Sequence, residues 1–468
     1  MDTYPRAARA LALAAVTLLA GCAGFSRDGG FAGVSDAVRP HLRQEPAWPR
    51  DDAARAAVDA RVAALLARPL AADDAVQIAL LNNPGLRAAY ESLAIAEASR
   101  VAAGRLPNPG VSLARLARGG EIEWERALHL DLARLLARPL AAEVEQRRFE
   151  TTQRALALET LRLANDARGA WVTAVAAEQV AAYRAQAVEV TGAGAELARR
   201  LAEVGNWSRR KQAREQSLYA DAALAEARAR QAASQARERL VRLLGLADGA
   251  ALRLPDRLPD LPVTLPPQPD IEQQAMDSRV DLAIVRMQAE ALAANLGLAR
   301  RTRFVNVLEA GVMDNDSNRA PDQRGYEIRF ELPLFDWGEA RVRGAEARYR
   351  QALERGRATA LAARSEVREA AARRQDHHAI ARHYRDEIVP LRKRLADEAL
   401  LRYNGMLIGP FELLVEARAQ IDAVASALDA ERDFWLADAG LRFALAGPPA
   451  ATLPDTPAAA APVAAGGH

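Results

Sequence analysis

Tyr403-Asn404-Gly405-Met406-Leu407-Ile408-Gly409-Pro410 is the one break in a helical pattern that otherwise runs from about Gly338 to Leu445. Before it, Ile380, Tyr384, Ile388, Leu391 and Leu395 form an apolar stripe at heptad spacing. After it, Leu414, Ile421, Leu428 and Trp435 recur every seven residues, with Val424 filling the seam. A seven-residue repeat keeps one face toward a partner only when the helices supercoil. Gly405 is expected to take a left-handed conformation that ends the first helix, and Pro410 to sit in the first turn of the second. The stretch reads as an antiparallel helical hairpin with long arms.

The same order occurs earlier in the chain. Pro139 opens a helical pattern that reaches about Val204, roughly 100 Å at 1.5 Å per residue. Gly205-Asn206-Trp207-Ser208 breaks it, and a return helix follows to Leu246. Each long helix is preceded by an alternating segment. Val111 and Leu113 lead to a Gly119-Gly120 turn, and Ile122, Trp124, Leu128, Leu130 and Leu132 return at even spacing. The opposite face of this hairpin is read as polar, carrying Glu123, Glu125, Arg126 and Asp131. In the second half a strand around Phe304 to Met313 and a polar loop from Asp314 to Arg324 precede Tyr326, Ile328, Phe330, Leu332 and Leu334. Strands of about 10 residues suit either a soluble hairpin lying on helices or tilted membrane strands. Helix, hairpin, long helix, break and return helix therefore occur twice, about 200 residues apart, which marks an internal duplication.

The resulting division is a leader over 1–21, an N-terminal arm over 22–72, a first repeat over 73–246, a proline-rich linker over 247–270, a second repeat over 271–446 and a Pro/Ala-rich tail over 447–468. The hairpins are placed at 107–132 and 303–335, and the long helices at 139–204 and 338–403. Asp73 is expected to cap the first helix of the first repeat, and Asn82-Asn83-Pro84 to interrupt it. The arm, rich in Gly, Pro, Asp and Arg, is expected to pack poorly.

The composition fits long, closely packed helices: half of the 468 residues are apolar and only 5% aromatic. The formal net charge is +2, without a basic block, which argues against nucleic-acid binding. Cys22 is the only cysteine, so one chain holds neither a disulfide framework nor a thiolate zinc site. Arg6 and Arg9, the apolar run Ala10 to Ala20 and Leu19-Ala20-Gly21-Cys22 read as a bacterial lipoprotein leader, leaving Cys22 for lipid attachment. The competing reading is an ordinary signal peptide with an incidental cysteine. No later stretch has the ~20 apolar residues of a membrane-spanning helix, so any crossing would use strands.

Together with the lipobox, the two strand hairpins and the two long helical hairpins, four motifs carry a resemblance. They are Asn82-Asn83-Pro84, Leu332-Pro333-Leu334-Phe335-Asp336-Trp337-Gly338, the two helix breaks, and Tyr403 and Gly405 followed by Glu412-Leu413-Leu414. The chain resembles the TolC-type outer-membrane efflux channel family, in its lipid-anchored branch, over about Asp73 to Leu445. The resemblance implies a mainly α fold with a small β part, assembled as a homotrimer. Long coiled-coil hairpins would form a periplasmic tube, and four strands per protomer would join one twelve-stranded barrel in outer-membrane lipid. It implies a passive exit duct, with no enzyme activity and no cofactor, fed by an inner-membrane efflux transporter through a periplasmic adaptor. The tips that contact the adaptor would be Val204, Gly205, Asn206 and Trp207, and Tyr403, Asn404, Gly405, Met406 and Leu407. Arg402, Tyr403, Glu412 and Glu416 are the gate candidates. Two departures stand out: Glu412 to Ala417 carries one residue more than the usual spacing, and the first tip has Arg209-Arg210-Lys211 where the family has an acidic residue. A solvated helix surface is the plain alternative for each of these charges.

Other constellations carry less. His377, His378 and His383 are not spaced to share a helix face, and read as surface histidines rather than a metal site. Asp314, Asn315, Asp316 and Asn318 lack the glycine and distal glutamate of a calcium loop, and read as an extracellular turn. A lipidated periplasmic scaffold or tether is the alternative to a duct; it would need no amphipathic strands.

Overall fold

The computed structural model describes residues 24–249, 252–304, 307–331 and 334–449. Cys22, the leader and all but the first residues of the tail lie outside the described residues. The chain divides into two compact units, Met1–Ala37 with Ala88–Ala157 and Leu282–Ala360, and Val38–Arg87 with Leu158–Asp281 and Leu361–His468.

The first unit holds α1 (Phe31–Val38, all but its last residue), most of α4 (Pro84–Gly104), the sheet, and the starts of two long helices. The sheet is a four-stranded antiparallel meander in the order β1 (Gly110–Arg118), β2 (Glu121–Asp131), β3 (Leu308–Ser317), β4 (Gln323–Phe330). The two repeats meet at β2 and β3, where Leu128 faces Val312 and Arg126 faces Asp314. The arm is better packed than its composition suggests. Phe31 packs edge-on to Tyr90 at 5.0 Å, Val34 is fully buried, and Glu97, itself buried, accepts from the Ser26 amide and hydroxyl at 2.8 and 2.6 Å.

The long helix α5 (Leu132–Glu203) begins seven residues before Pro139, so the proline lies inside it and does not open it. Asp131 takes the Arg134 amide at 2.8 Å and caps the start. Pro139 lacks an N–H, so the bond to the Leu135 carbonyl is missing, yet the helix continues through it.

The second unit holds α2 (Asp52–Leu66), α3 (Ala72–Asn82), α6 (Arg209–Leu244), α7 (Ile271–Ser278), the remainder of α5, and the hairpin of α10 (Val389–Asn404) and α11 (Pro410–Ala444). Helix α8 (Val280–Arg301) is separated from α7 by Arg279. A core of Ile78, Leu81, Trp171, Val175, Leu240 and Leu244 joins the first repeat's helices. The linker is packed too: Leu252 and Leu258 enter this core, and Leu261 packs with Ala381, Ala430 and Phe434. Asp73 does not cap α3, whose N-cap is Ala71; it lies in the first turn and pairs with Arg168 at 2.5 Å. Burial pushes the Asp73 carboxyl up, but the hydrogen bond and charge of Arg168 outweigh it and leave its pKa below the ordinary value.

The second long helix is interrupted once. Between α9 (Glu339–His383) and α10 lies a π turn, Tyr384–Ile388, just before Pro390. The linker crosses here: His378 Nε2 bonds the Pro262 carbonyl at 2.8 Å, Arg385 donates to Leu261 at 3.4 Å and Trp435 to Pro259 at 3.1 Å. His378 is therefore buried rather than on a solvated face, while His383 pairs with Glu387 at 3.4 Å.

Candidate functional site

Both helical hairpins turn through the same hydrogen-bonded device. In the first, the Gly205 amide reaches Ala202 O at 3.1 Å and the Asn206 amide reaches Leu201 O at 2.9 Å. In the second, Met406 bonds Tyr403 O at 2.9 Å and Leu407 bonds Arg402 O at 2.8 Å. These nested pairs are Schellman turns, which satisfy the last carbonyls of a helix by placing one residue in the left-handed region. In the first turn that residue is Gly205, φ 80°. In the second it is Met406, φ 59°, and not Gly405, whose φ is −78°. The Met406 side chain is 93% exposed and meets no steric penalty beyond its own backbone.

The other tip residues are arranged around these turns. Val204 and Leu407 are exposed, Tyr403 is partly exposed, and Asn404 ends α10. Ser208 caps α6 by accepting from the Lys211 amide. Trp207 stacks on Phe411 with ring centroids 4.0 Å apart and planes at 30°, and Lys211 Nζ lies 5.5 Å from the Trp207 ring. The stack joins the residue just before the cap of α6 to the first turn of α11, one from each half of the chain. Phe411 and Lys211 are missed as partners by sequence reasoning, because nothing local to Gly409-Pro410-Phe411 points to a residue two hundred positions earlier.

Among the described residues, no side-chain hydrogen bond joins Arg402, Tyr403, Glu412 and Glu416. Arg402 instead pairs with Glu398 on its own helix at 3.0 Å. Glu416 holds one carboxylate oxygen buried with no hydrogen-bond partner. Near the first tip, hydrogen bonds from Arg199 and then Arg200 hold the Glu196 carboxyl down at about 2.

The sheet sorts its side chains onto two faces. One carries Val111, Leu128, Val312, Tyr326, Ile328 and Phe330, of which Tyr326 is 81% exposed. The other carries Glu123, Glu125, Asp131, Glu309, Glu327 and Arg329. Arg126 lies on the apolar face and not the polar one. Alternation places it with Trp124 and Leu128, and there it meets Asp314 at 3.5 Å and Asp316 at 3.9 Å. Asp314 and Asp316 belong to β3, so the loop between β3 and β4 is shorter than the sequence suggests. Among the described residues no helix is long and apolar enough to cross a membrane, and no group of three or more His, Cys, Asp or Glu is placed to hold a metal.

No protein-family model and no curated protein sequence matches the chain. Solved structures do. A membrane protein from Pseudomonas aeruginosa matches over 80% of this chain and 93% of its own, at 19% identity and a TM-score of 0.68. The open state of the MtrE outer membrane channel of Neisseria gonorrhoeae matches over 80% and 88%, at 19% identity and a TM-score of 0.67. The outer membrane protein VceC of Vibrio cholerae matches over 80% and 96%, at 16% identity and a TM-score of 0.64. At these identities the likeness is one of architecture, and the chain has the fold of the TolC-type outer-membrane efflux channels.

Proposed function

We propose that this chain is one protomer of a homotrimeric, lipid-anchored exit duct in the bacterial outer membrane. It would be the last component of a tripartite efflux system, passing solutes delivered by an inner-membrane transporter through a periplasmic adaptor, without catalysis. The observation that carries this reading is the sheet. β1 and β4 are both open edges, and one face is apolar and exposed. Lipid tolerates an apolar face but not an open edge, and closure with further copies removes the edges. Three copies of four strands make a twelve-stranded barrel with the acidic face lining water. A scaffold or tether has no use for such a sheet.

In this reading Cys22 bears the lipid, and the turns at Val204–Trp207 and Tyr403–Leu407 meet the adaptor. Arg402, Tyr403, Glu412 and Glu416 take up gating contacts completed by a neighbouring copy, for which the orphaned Glu416 oxygen is the supporting feature. The Trp207–Phe411 stack ties the two repeats at the tip and holds the resting state. The test is Ile328→Asp and Phe330→Asp, each placing a charge on the lipid face. Loss of outer-membrane trimers is the expected result. Normal amounts of trimer in the outer-membrane fraction for both variants would mean that the sheet is not in lipid.

A further inference from the structure

The four strand–helix junctions lie along one edge of the sheet, since Gly110 pairs with His129, Asp131 with Glu309 and Leu308 with Phe330. Aromatic side chains gather along this rim. Phe304 stands edge-on to Trp337 at 6.2 Å and 87°, and Phe335 is 99% exposed. The Arg303 guanidinium lies 4.2 Å from the Phe304 ring centroid, and that of Arg105 lies 6.0 Å from Phe25. The backbone here is built rather than loose. Gly338 has φ 70°, and a Cβ on it would sit 2.5 Å from the Arg303 carbonyl oxygen. Arg341 bonds the Thr302 carbonyl at 2.9 Å, which ties the end of α8 to the start of α9.

Along the helices some arginines pair with a glutamate three or four residues away, as Arg199 does with Glu196 and Arg373 with Glu369, while others such as Arg348 and Arg355 have no carboxylate partner among the described residues. Within the rim, Arg300 is paired with Glu346 and Arg343 with Glu339. Arg105, Arg134, Arg301 and Arg303 are exposed and have no carboxylate partner among the described residues, and Arg105 and Arg303 lie against aromatic rings. Unpaired guanidinium groups next to exposed aromatic rings match the chemistry of a membrane–water interface. Rings settle at headgroup depth, and a guanidinium donates two parallel hydrogen bonds to a phosphate.

We propose that this rim binds the headgroups of anionic phospholipids in the leaflet facing the helical body, with Arg301 and Arg303 as the principal contacts. The proposal rests on the reading of the sheet as membrane-embedded. Each arginine near an anionic surface strengthens binding by about fivefold, so two give a preference of about 25-fold at most over a zwitterionic lipid.

The test uses the full-length protein in phosphatidylethanolamine bilayers containing either brominated phosphatidylethanolamine or brominated phosphatidylglycerol. The Trp337 signal is taken as the difference between the wild type and Trp337→Phe. Brominated phosphatidylglycerol should quench Trp337 with a relative affinity about five- to 25-fold higher. The preference should fall toward one in Arg301→Gln/Arg303→Gln and survive in Arg303→Lys. Equal quenching by the two lipids in the wild type, or an unchanged preference in the double glutamine variant, overturns the proposal. A tryptophan introduced by Tyr326→Trp reports on the sheet independently and shows whether a variant has inserted. If it is quenched while Trp337 is not, a second copy covers the rim and the proposal fails with the barrel intact. If neither is quenched, the membrane reading itself fails.

Discussion

Replacing Trp207 by alanine removes an aromatic stack that links the two helix turns. A stacked pair at 4.0 Å contributes about 0.5–1.5 kcal/mol beyond its buried area. The Lys211 ammonium at 5.5 Å adds about 0.5–1 kcal/mol at an exposed site. The link is thus worth about 1–2.5 kcal/mol, a factor of roughly 5–70 in the ratio of latched to released tips. If release of this latch is part of opening, the open probability in planar lipid bilayers should rise by that factor in Trp207→Ala. Cells should become more sensitive to large antibiotics that the closed duct excludes.

The double variant decides between a latch and a general loosening of the tip. Phe411→Ala should leak as Trp207→Ala does apart from the Lys211 share, and the two together should leak little more than Trp207→Ala alone, since the stack can be lost only once. Lys211→Ala should give a smaller rise, about two- to fivefold. Unchanged open probability in Trp207→Ala, or strictly additive effects of Trp207→Ala and Phe411→Ala, would refute the argument.

The second turn is strained at Met406, so Met406→Gly should raise the melting temperature, in proportion to roughly 1 kcal/mol of relieved left-handed strain; a lower melting temperature would count against it. Gly245 and Gly205 are both left-handed, but only at Gly245 would a Cβ meet backbone, 2.5 Å from the Asn82 carbonyl oxygen. Gly245→Ala should therefore cost at least about 2 kcal/mol in denaturant unfolding and Gly205→Ala about 1 kcal/mol, and equal losses would contradict the packing. Burial raises the Glu97 pKa, but Ser26 and then Arg100 outweigh it and hold it below the ordinary glutamate value. Because the folded pKa is depressed, this contribution is complete above the unfolded value and is lost as pH falls through the lowered one. A spin label at Gly24→Cys should become mobile as pH falls through the lowered Glu97 pKa, and Glu97→Ala should make it mobile at neutral pH as well; a label that stays immobile in Glu97→Ala would show that Glu97 does not hold the arm.

How much of this was legible from sequence depends on whether the deciding contact is local. The faces of the strands follow from alternation, which is why Ile328 and Phe330 are placed correctly without a structure. Arg126 was misassigned because its charge argued for the polar face while its parity argued for the other; the resolving fact, Asp314 opposite it, lies in the other repeat. Gly405 drew the left-handed assignment by residue type, whereas the hydrogen-bond pattern places that conformation one residue later, on Met406. Asn82 and Asn83 read locally as a helix break. In the folded chain Asn82 donates to the Leu244 and Gly245 carbonyls at 3.0 and 2.8 Å, and Asn83 to Leu243 at 2.9 Å, capping a helix that ends 160 residues later.

The second repeat solves the same backbone problem with different groups. Ser278 Oγ donates to Leu445 O at 2.8 Å, Arg279 Nη1 to Ala444 O at 3.3 Å and the Val280 amide to Ala446 O at 2.9 Å. Arg279 is buried, and Asp281 at 2.7 Å and Glu366 at 2.8 Å compensate its charge. Comparing the two halves residue by residue therefore does not expose the shared device, because what they have in common is the set of end carbonyls that need a donor, not the side chains that supply one. That predicts an asymmetry. Asn82→Ala removes the two hydrogen bonds to the Leu244 and Gly245 carbonyls and one that Asn82 accepts from the Arg55 guanidinium at 3.2 Å, and should cost about 1–3 kcal/mol. Arg279→Ala also leaves Asp281 buried without its partner and should cost about 3–5 kcal/mol. Paired unfolding curves measure both, and an Asn82→Ala loss equal to or larger than that of Arg279→Ala would mean that the capping bonds, rather than the buried charges, set the stability of these junctions.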